Sequence, residues 1–178
     1  MDNRDTDKPL VTGLFRDRDS AERAYQAVSD RGYGKDDVNL VMSDETRERH
    51  FAKSDASVET ELGNTAAAGA GIGGAIGGSL GAIAAAVAAV GTTIALPGLG
   101  LVIAGPLAAA IAGAGAGAAT GGIVGALIGW GIPEERVKQY DEGIKNGGIL
   151  MGVRPRNDED AAFLENSWKS NAGEHVYR

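Results

Sequence analysis

The chain has 178 residues and no cysteine, and its 17 Lys and Arg stand against 24 Asp and Glu, giving a net charge of −7. An acidic chain lacks the basic face that phosphate binding needs, so we expect no nucleic acid as a partner. Without cysteine, disulfides and cysteine-based zinc sites are excluded. The acidic start, residues 1–5, has no apolar core, so we expect no secretory signal peptide.

The first 61 residues predict a β-α-β unit. Leu10–Phe15 has the composition of a strand. Asp19 followed by Glu22 has the form of a capping box and predicts a helix that Gly32 ends. Apolar residues at alternate positions of 38–42 predict a second strand.

The last 45 residues predict a connecting helix and a second β-α-β unit. Pro133 suits the first turn of the connecting helix, and Gly147 lies at its end. Residues 149–153 predict a strand, Asn157 or Asp158 predicts the cap of a further helix, and a short strand follows near the C-terminus. Together the two units predict an α+β fold, a ferredoxin-like split β-α-β sandwich interrupted by an insertion.

The insertion is uncharged. Residues 62–133 contain no Asp, Glu, Lys or Arg over 72 positions, of which 20 are Gly and 22 are Ala. Many of the glycines recur every fourth residue, which places them on one face of a helix and lets two helix backbones approach closely. The glycines that we expect to pack helix against helix are Gly69, Gly73, Gly77, Gly81, Gly117, Gly121, Gly125 and Gly129.

The two glycine ladders also match each other. If the arms fold antiparallel about position 99, in the turn 97–100, then Gly69 faces Gly129 and Gly81 faces Gly117. A flexible Gly/Ala linker has no reason to show this relation. We therefore predict three parts: residues 1–61 as the first half of a head domain, 62–132 as a glycine-zipper antiparallel helical hairpin, and 133–178 as the connecting helix and the second half.

Large aliphatic residues on the first arm follow a helical spacing. If the glycines face inward, this stripe faces outward, where so large an apolar patch indicates an interface with lipid or with other copies. The tip, Ile94–Leu107, has no charge that would oppose entry into a bilayer, and Trp130 is placed as an interfacial aromatic near the base. The contact residues are Ile72, Ile76, Leu80, Ile83, Val87, Val90 and Ile94.

The sequence shows no pattern of catalytic or ligand-binding residues. Residues 69–74 match G-x-G-x-x-G, but the preceding strand and the later acidic residue of a dinucleotide site are missing. His50 and His175 are far apart and do not have the spacing of metal ligands. We therefore predict no enzymatic activity, no cofactor and no metal.

Two runs, Leu96–Ala110 and Gly129–Glu135, resemble the central part of bacterial general-stress proteins with a heat-induced stress domain. Val11–Phe15 looks like the start of the first β-α unit of that family, and the resemblance extends through Tyr140 and residues 147–150. It covers most of the chain, and its motifs are structural. The resemblance implies a bacterial stress-linked protein with no catalytic residues to carry over.

These observations predict a non-enzymatic, stress-associated protein that forms homo-oligomers through its hairpin. We expect the hairpin to be inserted in or attached to the cytoplasmic membrane, with the head in the cytoplasm. Two alternatives stay open. One is a soluble cytoplasmic assembly, such as a filament or shell, in which hairpins are buried between copies. The other is a sensor that binds a small molecule on the ferredoxin-like sheet.

Overall fold

The computed structural model describes residues 10–55, 94–96, 100–108 and 122–178. Its elements, in chain order, are β1 (Val11–Phe15), α1 (Arg18–Asp30), a 3-10 turn (Lys35–Asp37), β2 (Val38–Ser43), α2 (Asp44–Asp55), β3 (Ile94–Leu96), β4 (Leu101–Ala104), α3 (Gly122–Gly129), α4 (Glu134–Lys145), β5 (Ile149–Val153), α5 (Asp158–Ser170) and β6 (Glu174–Tyr177). The six strands form one sheet in the order β3-β4-β2-β5-β1-β6, and every neighbouring pair is antiparallel. The expected α+β class is confirmed.

Helices α1 and α5 contribute to the hydrophobic cluster on one side of the sheet. Trp168 of α5 is fully buried, packs edge-on against Phe15 of β1, and donates its indole N–H to the backbone oxygen of Ala24 at 3.1 Å. The apolar faces of the two helices lie in the same cluster as the strand residues beneath them. Their helical spacing in the sequence is therefore explained by burial against this sheet.

Helices α3 and α4 contribute to the cluster on the other side. Val137, Tyr140 and Ile144 of α4 are buried there, and Leu127 of α3 lies in the same cluster. The helix predicted as a connection is thus a core element of the head. Both sides of the sheet carry helices, which gives three layers.

The helix caps confirm one expectation and correct another. Asn157 caps α5, because its Oδ1 accepts the backbone N–H of Asp160 at 2.8 Å. The cap of α1 is Asp17 and not Asp19, since Asp17 is extended and its Oδ1 accepts the N–H of Ser20 at 2.8 Å. Asp19 lies in the first turn, where a negative charge is favourable near the helix N-terminus.

The sequence pattern does not predict helix α2. Its residues are mostly charged, and the helix begins directly after β2, where the Ser43 Oγ accepts the backbone N–H of Thr46 at 3.1 Å. Phe51 is buried, and the Arg18 guanidinium of α1 donates to the backbone oxygen of His50 at 2.7 Å. Contacts with the sheet and with α1 therefore hold a helix whose own apolar pattern is weak.

Strands β3 and β4 correct the predicted helical hairpin. Strands β3 and β4 do run antiparallel, because Ile94 pairs with Ile103 and Leu96 with Leu101. However, these segments are not helices, and β4 also pairs with β2. Ile94, predicted at the end of the helical contact stripe, therefore lies in a strand, and the predicted bilayer-entering tip includes a β-hairpin of the head. Pairing with β2 satisfies backbone groups that an edge strand would leave open.

Candidate functional site

Helix α3 is the part of the second glycine ladder that the structure describes. Its inner face is anchored in the core, where Ala126 and Leu127 are almost fully buried. On its outer face Val124 is 40% exposed and Ile128 is 46% exposed. Gly125 and Gly129 lie beside them, and apart from chain neighbours and the backbone of α3 itself no described residue comes within 4 Å of a Cβ built at either position. We call Val124, Gly125, Ile128 and Gly129 the outer face of α3.

The outer face of α3 is apolar and nearly smooth. Two glycines and two branched aliphatics stand one helical turn apart in pairs, so the face has low relief along its axis. A backbone that packs against it can come close, which is the arrangement of small-residue helix pairs. The face therefore has the shape of a helix-contact surface, and the packing role expected of Gly125 and Gly129 stays a prediction.

Most of the predicted contact positions lie outside the described residues. They are Gly69, Gly73, Gly77, Gly81, Gly117 and Gly121 among the packing glycines, and Ile72, Ile76, Leu80, Ile83, Val87 and Val90 among the aliphatics.

Trp130 is a core residue and not an interfacial anchor. It is 6% exposed, and its ring covers Gly152 of β5 so closely that a Cβ on Gly152 would lie 2.0 Å from the indole. Arg154 donates to the backbone oxygen of Trp130 at 3.2 Å. The indole therefore packs the end of α3 against the sheet.

The tightest glycine contacts in the described chain are ones that the sequence analysis did not single out. A Cβ on Gly143 of α4 would lie 2.1 Å from the Leu14 side chain of β1, and Gly152 is filled by Trp130. Each of these glycines interrupts a regular element, where glycine is intrinsically unfavourable. A glycine inside a predicted helix or strand is the sequence feature that could have identified these positions, because it indicates close approach of a neighbouring element.

Asn39 of β2 ties the end of β4 to the sheet. It is 5% exposed, and its Oδ1 accepts the backbone N–H of Leu107 at 2.7 Å. Two residues before Leu107, Gly105 has a φ of 100°, and a Cβ on Gly105 would lie 2.3 Å from the backbone oxygen of Val38. A polar residue inside an apolar strand was the sequence signal for this anchor.

A buried hydroxyl pair joins α4 to β1 and β6. Tyr140 donates its phenolic proton to the backbone oxygen of His175 at 2.7 Å. Since Tyr140 has only one proton, the Thr12 hydroxyl, 2.8 Å from the Tyr140 oxygen, is the donor between the two. Burial raises the pKa of Tyr140 to about 12, although the Thr12 hydrogen bond opposes the rise. The pair is neutral near pH 7 and holds these three elements together.

A cleft of about 440 Å³ opens at the end of the sheet where β2 begins and β5 ends. Its lining carries two arginines, two carboxylates and an apolar side, namely Tyr33, Asp36, Asp37, Asn39, Pro106, Leu107, Gly129, Trp130, Arg154 and Arg156. A second cleft, of about 470 Å³, lies between α4 and β6. There Arg16 and Glu174 form an ion pair of 2.7 Å.

The described ranges contain neither a cluster of metal ligands nor a helix that could cross a membrane. In residues 10–55, 94–96, 100–108 and 122–178, no three His, Asp or Glu side chains come together as a set that could hold a metal ion. In the same part of the chain, none of the helices combines the length and the apolar character needed to cross a bilayer.

Comparison of the sequence with protein-family models, with curated proteins and with solved structures finds no match.

Proposed function

We propose that this chain is a non-enzymatic, stress-associated protein that forms homo-oligomers through its uncharged Gly/Ala region, attached to a membrane, and that the outer face of α3 is part of the contact. The observation that carries the proposal is that α3 has one buried face and one exposed apolar face. Its inner face is fixed in the core, while Val124 and Ile128 on its outer face are 40% and 46% exposed.

An apolar helix face held in a fixed position favours a partner helix. Burying aliphatic surface contributes about 25 cal/mol per Å², and the neighbouring glycines allow a second backbone to come close. A second copy offers the same face, so two copies can pair α3 with α3 about a two-fold axis. The uncharged residues that precede α3 in the sequence can extend the same contact.

We further propose that the head is ferredoxin-like. Four of the strands, in the order β6-β1-β5-β2, come from two β-α-β units, β1-α1-β2 and β5-α5-β6. Helices α1 and α5 contact each other and belong to one cluster. Antiparallel pairing of β1 with β5 and of β1 with β6 supports this assignment. Strands β4 and β3 extend that sheet beyond β2.

The anchoring of β3 and β4 supports attachment to a membrane more than crossing. Residues 109–121 connect two ends that both lie in the head, and 13 residues at about 3.4 Å each reach only about 22 Å out and back. A bilayer core is about 30 Å thick. The other stretch, 56–93, also starts and returns in the head, so it would cross twice. Two crossings take about 40 apolar residues, and 62–93 supplies 32 uncharged ones.

Charge on the outer face of α3 tests the proposal. The variant Val124→Glu/Ile128→Glu should lower the molecular mass measured by analytical ultracentrifugation, because two buried carboxylates would oppose contact. Both side chains are exposed within the chain, so circular dichroism should show an unchanged fold. Phe163→Glu on α5 is the matched control, since Phe163 is 37% exposed but lies elsewhere. It should leave the mass unchanged.

Flotation with phosphatidylcholine and phosphatidylglycerol vesicles separates the membrane form from a soluble assembly. Attachment predicts that the wild type floats with vesicles, whereas a filament or shell predicts a large mass without lipid. The proposal fails if the wild type is a monomer in buffer and does not float, or if the double variant assembles like the wild type. Stress association predicts that the protein becomes more abundant after heat or osmotic shock.

A further inference from the structure

The cleft at the end of β2 and β5 is built by four separate segments. The 3-10 turn before β2, the turn after β4, the end of α3 and the residues after β5 all contribute side chains to it. Its volume of about 440 Å³ lies in the range of small-molecule sites. Because the segments are distant in sequence, only the folded chain brings this lining together.

Charges of both signs line the cleft, and the two that face each other across the end of the ladder form no ion pair. Val38 pairs with Val153 at the end of the ladder, so Asp37 and Arg154 are the next residues on the two strands. In the described chain these two side chains form no ion pair within 4 Å. Asp37 accepts the backbone N–H of Gly34 at 2.8 Å, and Arg154 donates to the backbone oxygen of Trp130 at 3.2 Å.

The second arginine and the second carboxylate are in different situations. Arg156 stacks on the ring of Tyr33, with its guanidinium carbon 4.1 Å from the ring centre, and its Nε lies 3.7 Å from Asp160. Asp36 is exposed and forms no hydrogen bond or ion pair with any described residue. Arg154 is therefore the cation of the lining that has no carboxylate partner in the described ranges, and neither Asp36 nor Asp37 forms an ion pair within 4 Å with a described cation.

The remaining side of the cleft is apolar. Leu107 is 4% exposed and Trp130 is 6% exposed, and both line the cleft. Both side chains add apolar surface beside the charged groups. The lining thus offers donors, acceptors and an apolar wall.

We infer that this cleft binds a small zwitterion, an α-amino acid with an apolar side chain. Its carboxylate would lie against Arg154, its ammonium against Asp36 and Asp37, and its side chain against Leu107 and the Trp130 ring. A ligand of one sign would meet like charge from half of the charged lining, whereas a zwitterion pairs with both signs. This site is at the end of the sheet and not on its faces, which carry helices. The inference does not depend on self-assembly.

Three probes test the charge requirement by isothermal titration calorimetry. L-leucine carries both charges, N-acetyl-L-leucine lacks the ammonium, and L-leucinamide lacks the carboxylate. We expect L-leucine to bind at least about tenfold more tightly than either analogue, which corresponds to about 1.4 kcal/mol. Equal affinity for the three probes, or no heat of binding for any of them, would overturn the inference.

Variants locate the site. Arg154→Gln and Asp36→Asn should each weaken L-leucine binding at least about tenfold, and Asp36, being exposed, can be changed without disturbing the core. Arg16→Gln, in the other cleft, is the control and should bind normally. In protein labelled with 5-fluorotryptophan, L-leucine should shift the Trp130 ¹⁹F signal and not that of Trp168, which is fully buried. Normal binding by both cleft variants, or a shift of Trp168 alone, would contradict the assignment.

Discussion

Replacing Gly152 by alanine should destabilise the head through a clash with Trp130. The added Cβ would lie 2.0 and 2.5 Å from two indole carbons, well inside normal contact distance, and the ring is buried with little room to move. Overpacking of this kind costs about 1–3 kcal/mol. Trp130→Ala alone removes a buried ring and should cost about 3–5 kcal/mol.

The double variant separates the clash from the loss of the ring. Without the indole, the methyl group added at position 152 meets no obstacle, so Gly152→Ala in the Trp130→Ala background should cost almost nothing. We therefore expect the two single effects to exceed the double effect by about 1–3 kcal/mol. Gly34→Ala is the control, because its φ is negative and the nearest atom to its Cβ is at 3.7 Å, and it should stay within about 0.5 kcal/mol.

Urea unfolding at one fixed protein concentration, followed by far-ultraviolet circular dichroism, measures the free energy of unfolding of the wild type and of the four variants. Fluorescence is unsuitable, since two of the variants lack Trp130. If the single effects add to the double effect within about 0.5 kcal/mol, the indole does not cover Gly152. A Gly152→Ala variant as stable as the wild type would lead to the same conclusion and would restore Trp130 as a candidate membrane-interface residue.

Two further predictions concern buried backbone and a buried phenol. Gly105→Ala should lower the free energy of unfolding by at least about 2 kcal/mol, and Gly100→Ala by about 1–2 kcal/mol. Both glycines have positive φ, but only a Cβ on Gly105 would meet a backbone oxygen, that of Val38, at 2.3 Å. Equal losses measured by urea unfolding would contradict this contact. The Tyr140 pKa is raised from 10.0 to about 12 in the folded state, so the unfolded chain binds fewer protons between these values. Wild-type stability should therefore fall with rising pH in this window by up to about 1.4 kcal/mol per pH unit, and the slope should be smaller in Tyr140→Phe; identical slopes would refute the burial argument.

Local patterns predicted the elements whose apolar period and caps agree. The strand at Val11–Phe15, the helix that Asn157 caps and the strand at Ile149–Val153 were all recognised from residues that are neighbours in the chain. The four-residue spacing of Gly125 and Gly129 also predicted that they share one helix face, and α3 places them so. The larger contact that this spacing suggests stays a prediction, because most of its positions lie outside the described residues.

Short apolar runs were where the prediction was wrong. Residues 101–104, which the prediction placed in the tip of the hairpin, are apolar throughout, and such a run fits a buried strand as well as a buried helix. The edge of β2 decides between them, because pairing with β2 satisfies the backbone of β4. Residues 101–104 themselves give no sign that the edge of β2 lacks a partner strand. The same is true of Trp130, whose place over Gly152 depends on a residue more than twenty positions away.

The sequence by itself determined that the chain is acidic, that its charges avoid one long Gly/Ala region, and that two β-α-β units flank that region. Periodicity and caps are properties of near neighbours, so they can be read without a structure. Only the tertiary structure decided that a β-hairpin from the uncharged region joins the head sheet, and that α3 exposes one face and buries the other. Those outcomes depend on which distant backbone and side-chain surfaces are left to be covered after the local elements have formed.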